Sequence, residues 1–211
     1  MKGCLIALGI VIGVFLIVTG IVAYKGYSMY KEAVAWTDDK PVELNIPVIA
    51  EDVRDAADSK LKSFMEAVDK NESGTFEFNE EELNALIAED PAFSGKAVFR
   101  IDGNEVGASV SFPLDMIPGF NGRYLNGDIK LTAGMENGRP VVRVTDLIVN
   151  GKHPPEDFMQ GIRKTNALEG SYKDPERAKA LNRIKNIVFE NGKIKIELKG
   201  NQPVNENKEK K

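Results

Sequence analysis

The sequence predicts an α+β protein, with an N-terminal transmembrane helix followed by an antiparallel, curved β-sheet packed with helices. Three observations predict this fold: an uncharged segment at residues 3–24, apolar residues at helical spacing near residues 51–69, and alternating segments joined by Asn-Gly turns from residue 97 onward. The same observations divide the chain into three parts. These are an anchor with a juxtamembrane helix at residues 1–35, an α+β domain at residues 36–200, and a disordered polar tail at residues 201–211.

The uncharged segment at residues 3–24 is long enough to span a bilayer, since a membrane helix needs about 20 apolar residues. A cleavable signal peptide has a shorter apolar stretch of about 7–15 residues, with small residues close behind it. The small residues found here, at positions 33–35, lie beyond Lys25 and Lys31. A retained anchor in the lipid bilayer is therefore favoured over a cleaved signal, and the helix is expected to continue to residue 35.

The charges that flank this segment leave its orientation open. Lys2 precedes it, whereas Lys25, Lys31 and Lys40 follow it, and the positive-inside rule taken literally places the domain in the cytoplasm. The rule describes a bias, however, and short N-terminal anchors commonly carry the following domain across the membrane.

Two helices are predicted directly after the anchor and a short extended linker at residues 41–47. The first spans residues 51–69 and has one apolar stripe. The second has a capping box, in which Asn79 caps the first turn and Glu82 stands three residues later, and it ends before Pro91. Three glutamates at positions 80–82 lie at its N-terminus, where negative charge is favourable, so helix stabilisation is preferred over an acidic site.

The centre of the chain alternates as an antiparallel sheet does. Residues 97–101 and 106–112 flank a Gly103 turn, and residues 125–135 place apolar side chains on one face. Residues 140–149 are apolar on both faces, so this strand is expected to be covered on both sides by protein or by a bound apolar molecule. Further elements are a helix at residues 156–166, a helical turn near Pro175 and a last hairpin around Asn191-Gly192.

The composition excludes several kinds of chemistry. The chain has 211 residues with one Cys, one His and a net charge of −4. Cys4 alone cannot form an internal disulfide or a thiolate zinc site, and His153 alone cannot build a His-based metal cluster. An acidic chain also lacks the basic surface of nucleic-acid binders. We therefore expect no metal, no cofactor and no nucleic-acid partner.

The sequence contains no recognisable catalytic motif. It has no GxSxG elbow, P-loop, HExxH pair or glycine-rich dinucleotide turn. His153 follows a predicted strand, in a loop with no identifiable nucleophile beside it, which favours a solvated histidine over a catalytic base. The protein is therefore expected not to be an enzyme.

One loop differs from its surroundings, because residues 112–124 read FPLDMIPGFNGRY and are unusually apolar for a loop. It could fold back onto the core, form the lip of an apolar pocket, or touch the membrane surface. Arg123 and Lys152 near the rim of such a pocket could meet an anionic head group. The pocket interpretation gains from the strand at residues 140–149, which is apolar on both faces. The residues then predicted to line a ligand site are Phe112, Met116, Ile117, Phe120, Val142, Val144 and Ile148.

Several short motifs occur together with the membrane segment. They are F-x-E-x-E-L-N-x-L-I at the start of the second helix, within residues 76–87, G-R-Y-L-N-G-D-I-K-L in the sheet, and V-N-G-K-x-x-P at residues 149–155. In this order they resemble a family of bacterial membrane-anchored envelope proteins with lipid-binding-like α+β domains, similar in style to tubular lipid-binding and lipoprotein-carrier folds. The resemblance covers about residues 50–200. It implies an extracytoplasmic domain on a bacterial cell membrane and provides no active site.

Two functions follow as hypotheses. The leading one is a membrane-anchored extracytoplasmic binding protein that holds a lipid or another apolar ligand without catalysis. The alternative is a scaffold or assembly factor that recruits another envelope protein through the same surface. An enclosed apolar cavity of roughly 300 Å³ or more would favour the ligand, whereas a shallow exposed patch would favour the protein partner.

Overall fold

The computed structural model describes residues 34, 36–91, 93–115 and 117–200. The predicted membrane segment, almost all of the juxtamembrane helix and the predicted disordered tail lie outside these residues. Within the described part of the chain, no helix combines the length and the apolar character that crossing a membrane requires.

The predicted α+β class is confirmed. The α-helices of the described chain are α1 (Glu51–Lys70), α2 (Glu80–Ala88), α3 (Glu156–Lys164) and α4 (Pro175–Arg183), with a 3-10 helix at Glu169–Lys173. The strands are β1 (Gly74–Asn79), β2 (Ala97–Asp102), β3 (Glu105–Pro113), β4 (Tyr124–Glu136), β5 (Arg139–Val149), β6 (Ile184–Glu190) and β7 (Lys193–Leu198).

The strands form two antiparallel sheets rather than the single sheet that the sequence predicted. The larger sheet has the order β2-β3-β4-β5, and the smaller one has the order β1-β7-β6. Strand β1 was missed, because residues 76–79 were assigned to the start of the following helix. Its six residues are stabilised by distant pairing, with Phe76 opposite Ile196 and Phe78 opposite Ile194. No local pattern reveals a partner so far along the chain.

Local chemistry determines where helices start and where hairpins turn, as predicted. The amide of Glu82 donates to Asn79 Oδ1 at 2.9 Å, and the amide of Asn79 donates to the Glu82 carboxylate at 3.0 Å. This reciprocal pair is the predicted capping box. Positive φ angles at Asn137, Gly138, Asn191 and Gly192 give the two tight hairpin turns the twist that antiparallel strands need.

The core lies between the two sheets and under the helices. Strands β4 and β5 contact β6 of the smaller sheet, α2 packs on β2, and α3 and α4 pack on β5. The face of the larger sheet that points to this core is called the inner face here. It carries the buried side chains Phe99, Val106, Ala108, Val110, Ile129, Leu131, Val142 and Val144.

Two asparagines close the open edges of the larger sheet. The Asn84 side chain accepts from the amide of Phe99 and donates to its carbonyl, both at 2.8 Å, on the β2 edge. On the β5 edge, Asn166 accepts from the amide of Val142 at 3.0 Å and donates to the carbonyl of Pro140 at 3.2 Å. Because these side chains occupy main-chain groups that an edge strand would otherwise expose, they protect both edges from pairing with other chains.

Candidate functional site

The large apolar side chains that the structure describes in the apolar loop fold back onto the core. Phe112, Leu114 and Phe120 are buried, and Ile117 is half-buried against the core. The ring of Phe112 meets that of Phe93 edge to face, with centroids 5.5 Å apart. Three predicted lining residues of this loop therefore pack inward, and the fourth, Met116, lies outside the described residues.

The three predicted lining residues of β5 do not share one face. Val142 and Val144 point to the inner face and are 0% and 2% exposed. A register shift leaves Thr145 without an opposite residue, since Lys130 pairs with Asp146 and the next residue, Leu131, pairs with Val144. This bulge moves the alternation by one position, so half-buried Ile148 lies on the opposite face from Val142 and Val144. The sequence predicted a strand that is apolar on both faces and did not assign these three residues to one face.

The apolar cavity between the sheets is very small. It has a volume of about 10 Å³ and is lined by Leu83, Ile87, Phe99, Val106, Leu131, Phe189 and Ile194. A cavity of this size has room for about one water molecule, while small-molecule pockets occupy roughly 300–1,000 Å³. This part of the inner face is a filled core.

A larger open groove of about 320 Å³ lies on the opposite, outer face of the same sheet. Its walls come from the chain before α1 and from strands β2 to β5. The lining residues are Asp38, Val42, Glu43, Leu44, Asn45, Arg100, Ser109, Val110, Asn126, Gly127, Asp128, Ile148, Asn150 and Gly151. Of the six predicted lining residues that the structure describes, Ile148 is the one that borders this groove.

The floor of the groove carries a short polar chain. The hydroxyl of Ser109 donates to Asp128 Oδ1 at 2.5 Å, and the Arg100 guanidinium donates to the same hydroxyl at 3.3 Å. Ser109 and Asp128 are opposite each other on β3 and β4, so the sheet register holds this pair in place. Asp38 and Glu43 on the wall join Asp128 on the floor, so the groove has three carboxylates and one guanidinium. Its formal net charge is negative.

The wall of the groove is formed by residues 38–48, which belong to no helix or strand and which we call the strap. Asn126 fastens it to the sheet: its side chain accepts from the amide of Val42 at 3.2 Å and donates to Asp38 at 3.0 Å and to the Lys40 carbonyl at 2.9 Å. Ser111 also accepts from the Val42 amide at 3.2 Å. The strap is therefore bound to the sheet through the buried side chain of Asn126 and, at its first residue, through a main-chain bridge between Asp38 and Tyr124.

Three large apolar side chains of the strap face solvent. Val42 is 52% exposed, Ile46 is 38% exposed and Val48 is 101% exposed. No strand in the described part of the chain pairs with residues 41–50. Apolar side chains that cluster on the surface beside a groove often mark an interaction site.

The other acidic and titratable groups that the sequence raised have structural surroundings. Glu82 belongs to the capping box and also pairs with Lys60 at 2.6 Å, while Glu80 accepts from the amide of Ile101 at 2.7 Å. His153 is largely exposed and lies 3.3 Å from Asp146. Among the described residues, no three His, Cys, Asp or Glu side chains form a group that could hold a metal ion.

The strap and the groove were missed by sequence reasoning, which treated residues 41–47 as a linker. A signal was present: Val42, Leu44, Ile46 and Val48 alternate with other residues, as in a strand. Pro41 and Pro47 interrupt the amide donors that a strand ladder needs. Residues 41–48 therefore lie beside the sheet without joining it as a strand.

Comparison of the chain with protein-family models, with characterised proteins and with solved structures finds no match.

Proposed function

We propose that this protein is a membrane-anchored, non-catalytic binding protein, with its domain on the extracytoplasmic side of a bacterial cell membrane. Its partner docks on the outer face of the larger sheet, in the groove between the strap and strands β3 to β5. The observation that carries the proposal is the groove of about 320 Å³ beside three exposed apolar side chains of the strap.

The surface chemistry favours a protein segment in extended form over a lipid. The groove combines the apolar side chains Leu44 and Ile148 with the polar floor of Ser109 and Asp128. Extended peptides are bound through such a mixture, since main-chain groups take the polar partners and alternate side chains enter apolar contacts. A lipid tail has no polar group to satisfy this floor, so the scaffold hypothesis gains support from the site.

The charges of the groove narrow the partner further. Asp38, Glu43 and Asp128 exceed the single cation Arg100, so a partner segment with a Lys or Arg side chain is favoured. The proposed partner is therefore an envelope protein with an exposed, extended segment that carries both apolar and basic residues.

Site-specific photo-crosslinking in bacterial membranes tests this proposal. The full chain would carry benzoylphenylalanine at Val48, and a matched variant would carry it at Lys185, an exposed position on the smaller sheet. We expect one discrete protein adduct from Val48 and none from Lys185. Asp128→Lys, which reverses a charge in the groove, should reduce the Val48 adduct severalfold while the circular dichroism spectrum stays unchanged.

Other outcomes decide against the proposal in different ways. Equal adducts from both positions, or no change with Asp128→Lys, would show that the groove does not select the partner. An adduct with the mass of a phospholipid in place of a protein would instead support the lipid-binding hypothesis.

A further inference from the structure

Arg123, at the end of the apolar loop, holds the first described residues of the chain. Its guanidinium donates to the carbonyl of Val34 at 3.0 Å and also to the hydroxyl and the carbonyl of Thr37. Val34 has helical conformation. Cationic side chains commonly bind carbonyls of this kind at helix C-termini, where no amide partner follows. Arg123 therefore binds the backbone just behind the predicted anchor, and this occupies the group that the sequence had offered to a lipid head group.

The residues after this contact are also built into the sheet. Asp38 and Tyr124 exchange two main-chain hydrogen bonds as an antiparallel bridge, with N–O distances of 2.9 and 2.8 Å. The side chain of Trp36 is partly buried against the core. The chain thus enters the domain beside the β3–β4 loop, in a defined position.

The sequence places the predicted membrane segment close to this entry point. That segment ends at Tyr24, and ten further residues lead to Val34. If these residues continue the helix, as the sequence predicts, they span about 15 Å at 1.5 Å per residue. The end of the sheet where Arg123 lies is then near the membrane surface.

The two ends of the larger sheet differ in charge. The β3–β4 loop, residues 114–123, carries Asp115 and Arg123, whose formal charges cancel. The opposite end carries the β2–β3 and β4–β5 turns, flanked by the exposed charged residues Asp102, Glu105, Glu136 and Arg139. A loop with no net charge is compatible with anionic lipid head groups, whereas the three carboxylates and one guanidinium of the opposite end give it a net charge of −2, which anionic head groups repel.

We infer that the domain stands end-on to the bilayer, with the β3–β4 loop against the lipid head groups and the Gly103 and Gly138 turns pointing away. Arg123 is the residue that sets this orientation, because it joins the loop to the chain that leaves the anchor. The inference rests on the membrane anchor of the proposed function. It places the groove on the side of a standing domain, where another envelope protein has access to it.

Depth-dependent fluorescence quenching on the full chain tests this orientation. With Cys4 replaced by Ser, a single Cys labelled with NBD would be placed at Asn121 in the loop or at Asn104 in the distal turn. Both residues are exposed. The proteins would be reconstituted in vesicles of phosphatidylethanolamine and phosphatidylglycerol that contain a head-group nitroxide lipid. Strand β3 has 9 residues, which separates the two ends by about 30 Å.

We expect the label at Asn121 to be quenched severalfold more strongly than the label at Asn104. Arg123→Met should reduce this ratio towards one, whereas Arg163→Met, which removes an arginine of α3 outside the loop and the groove, should leave it unchanged. Circular dichroism shows whether the Arg123→Met variant is folded. If it is not, the comparison of the two labelled positions in the chain that keeps Arg123 still tests the orientation.

Two results would overturn the orientation. Equal quenching at both positions, or stronger quenching at Asn104, contradicts it while leaving the anchor intact. If the full chain does not float with vesicles after an alkaline wash, the proposed membrane anchor is wrong, and the proposed orientation is wrong with it. The crosslink from Val48 is measured separately, so loss of the partner and loss of the orientation are distinguishable.

Discussion

The two faces of the larger sheet are built from the same strands but differ in burial and polarity. On the inner face, Leu131, Val142 and Val144 are buried beneath the helices and the smaller sheet. On the outer face, Ser109 and Asp128 form a polar floor beneath an open groove. Because side chains alternate along a strand, each strand contributes to the core and to the surface at once. Alternate residues of one strand can therefore stabilise the core and leave a polar surface open to solvent.

The largest expected effect comes from placing a charge on each face of β5. Val144→Asp buries an unpaired carboxylate on the inner face and should cost more than about 4 kcal/mol, enough to unfold many domains of this size. Ile148→Asp, on the half-buried outer face, should cost only about 1 kcal/mol. Urea denaturation of both variants measures the difference. Similar losses would contradict the assignment of the two residues to opposite faces.

Substitutions at the β2 and β5 edges of the larger sheet should give the next largest loss of stability. Asn84→Ala leaves the buried amide and carbonyl of Phe99 without partners, at an expected cost of about 2–4 kcal/mol. Asn166→Ala removes the corresponding contacts on the β5 edge. It should cost about 1 kcal/mol, because Asn166 is only half-buried and water can replace its side chain.

Thermal and urea unfolding of these two variants would sharpen the comparison of the edges. Equal costs would mean that burial does not govern the strength of this side-chain pairing. A tendency of Asn84→Ala to oligomerise would in addition show that the β2 edge needs protection.

On the outer face, Asn126→Ala should release the strap. The variant loses the contacts to Val42, Asp38 and Lys40, and we expect a global cost of about 1–2 kcal/mol. Amide hydrogen exchange of residues 40–46 should accelerate strongly, because these residues have no strand ladder of their own, whereas the amide of Asp38 stays bonded to Tyr124. Ser109→Ala is the matched control, since Ser109 forms hydrogen bonds with Asp128 and Arg100 and not with the strap. Unchanged exchange at Val42 in Asn126→Ala would show that the strap is held by other contacts.

The smallest effects on stability are expected for charged side chains that lie outside the two faces of the larger sheet. The hydrogen bond from Lys193 and its positive charge lower the pKa of Glu77. Folding is thereby stabilised above the ordinary value of 4.5, and this contribution is lost as the pH falls through the lowered pKa. Burial, with the charge and hydrogen bond of Asp58, raises the pKa of Glu89. Its ionised form therefore opposes folding, and this penalty disappears in acid.

Melting temperatures measured from pH 3 to pH 7 check both signs. At pH 7, Glu77→Gln should melt slightly below the wild type and Glu89→Gln slightly above it, because exposed charges are screened by water. Both differences should vanish in acid. A shift of the same sign in the two variants would contradict the opposite surroundings of these carboxylates.

The sequence predicted what depends on near neighbours. The capping box of Asn79 and Glu82, the turns at Asn137-Gly138 and Asn191-Gly192, and the stripe of α1 all rest on residues within a few positions of one another. Their chemistry is local, so reading the chain is sufficient. The pairing of β1 with β7 joins distant parts of the chain, and its six residues show no signal strong enough to stand alone.

The candidate site shows the same division. The sequence identified Phe112, Phe120, Val142 and Val144 as large apolar residues, but the choice between core and pocket depends on what packs against them. The bulge at Thr145, which separates Ile148 from Val144, is set by pairing with β4. The strap forms a wall of the groove because Asn126, far along the chain, binds it.

By itself, the sequence determined the α+β class, the starts of the helices, the turns and a charge-free segment long enough for a membrane. These properties follow from hydrophobic periodicity, local hydrogen bonds and backbone preferences, which act over a few residues. Only the tertiary structure decided that the strands divide into two sheets, that the apolar loop packs inward, and that the open groove lies on the polar face. These outcomes depend on contacts between segments far apart in the chain, where burial and register select among patterns that look alike locally.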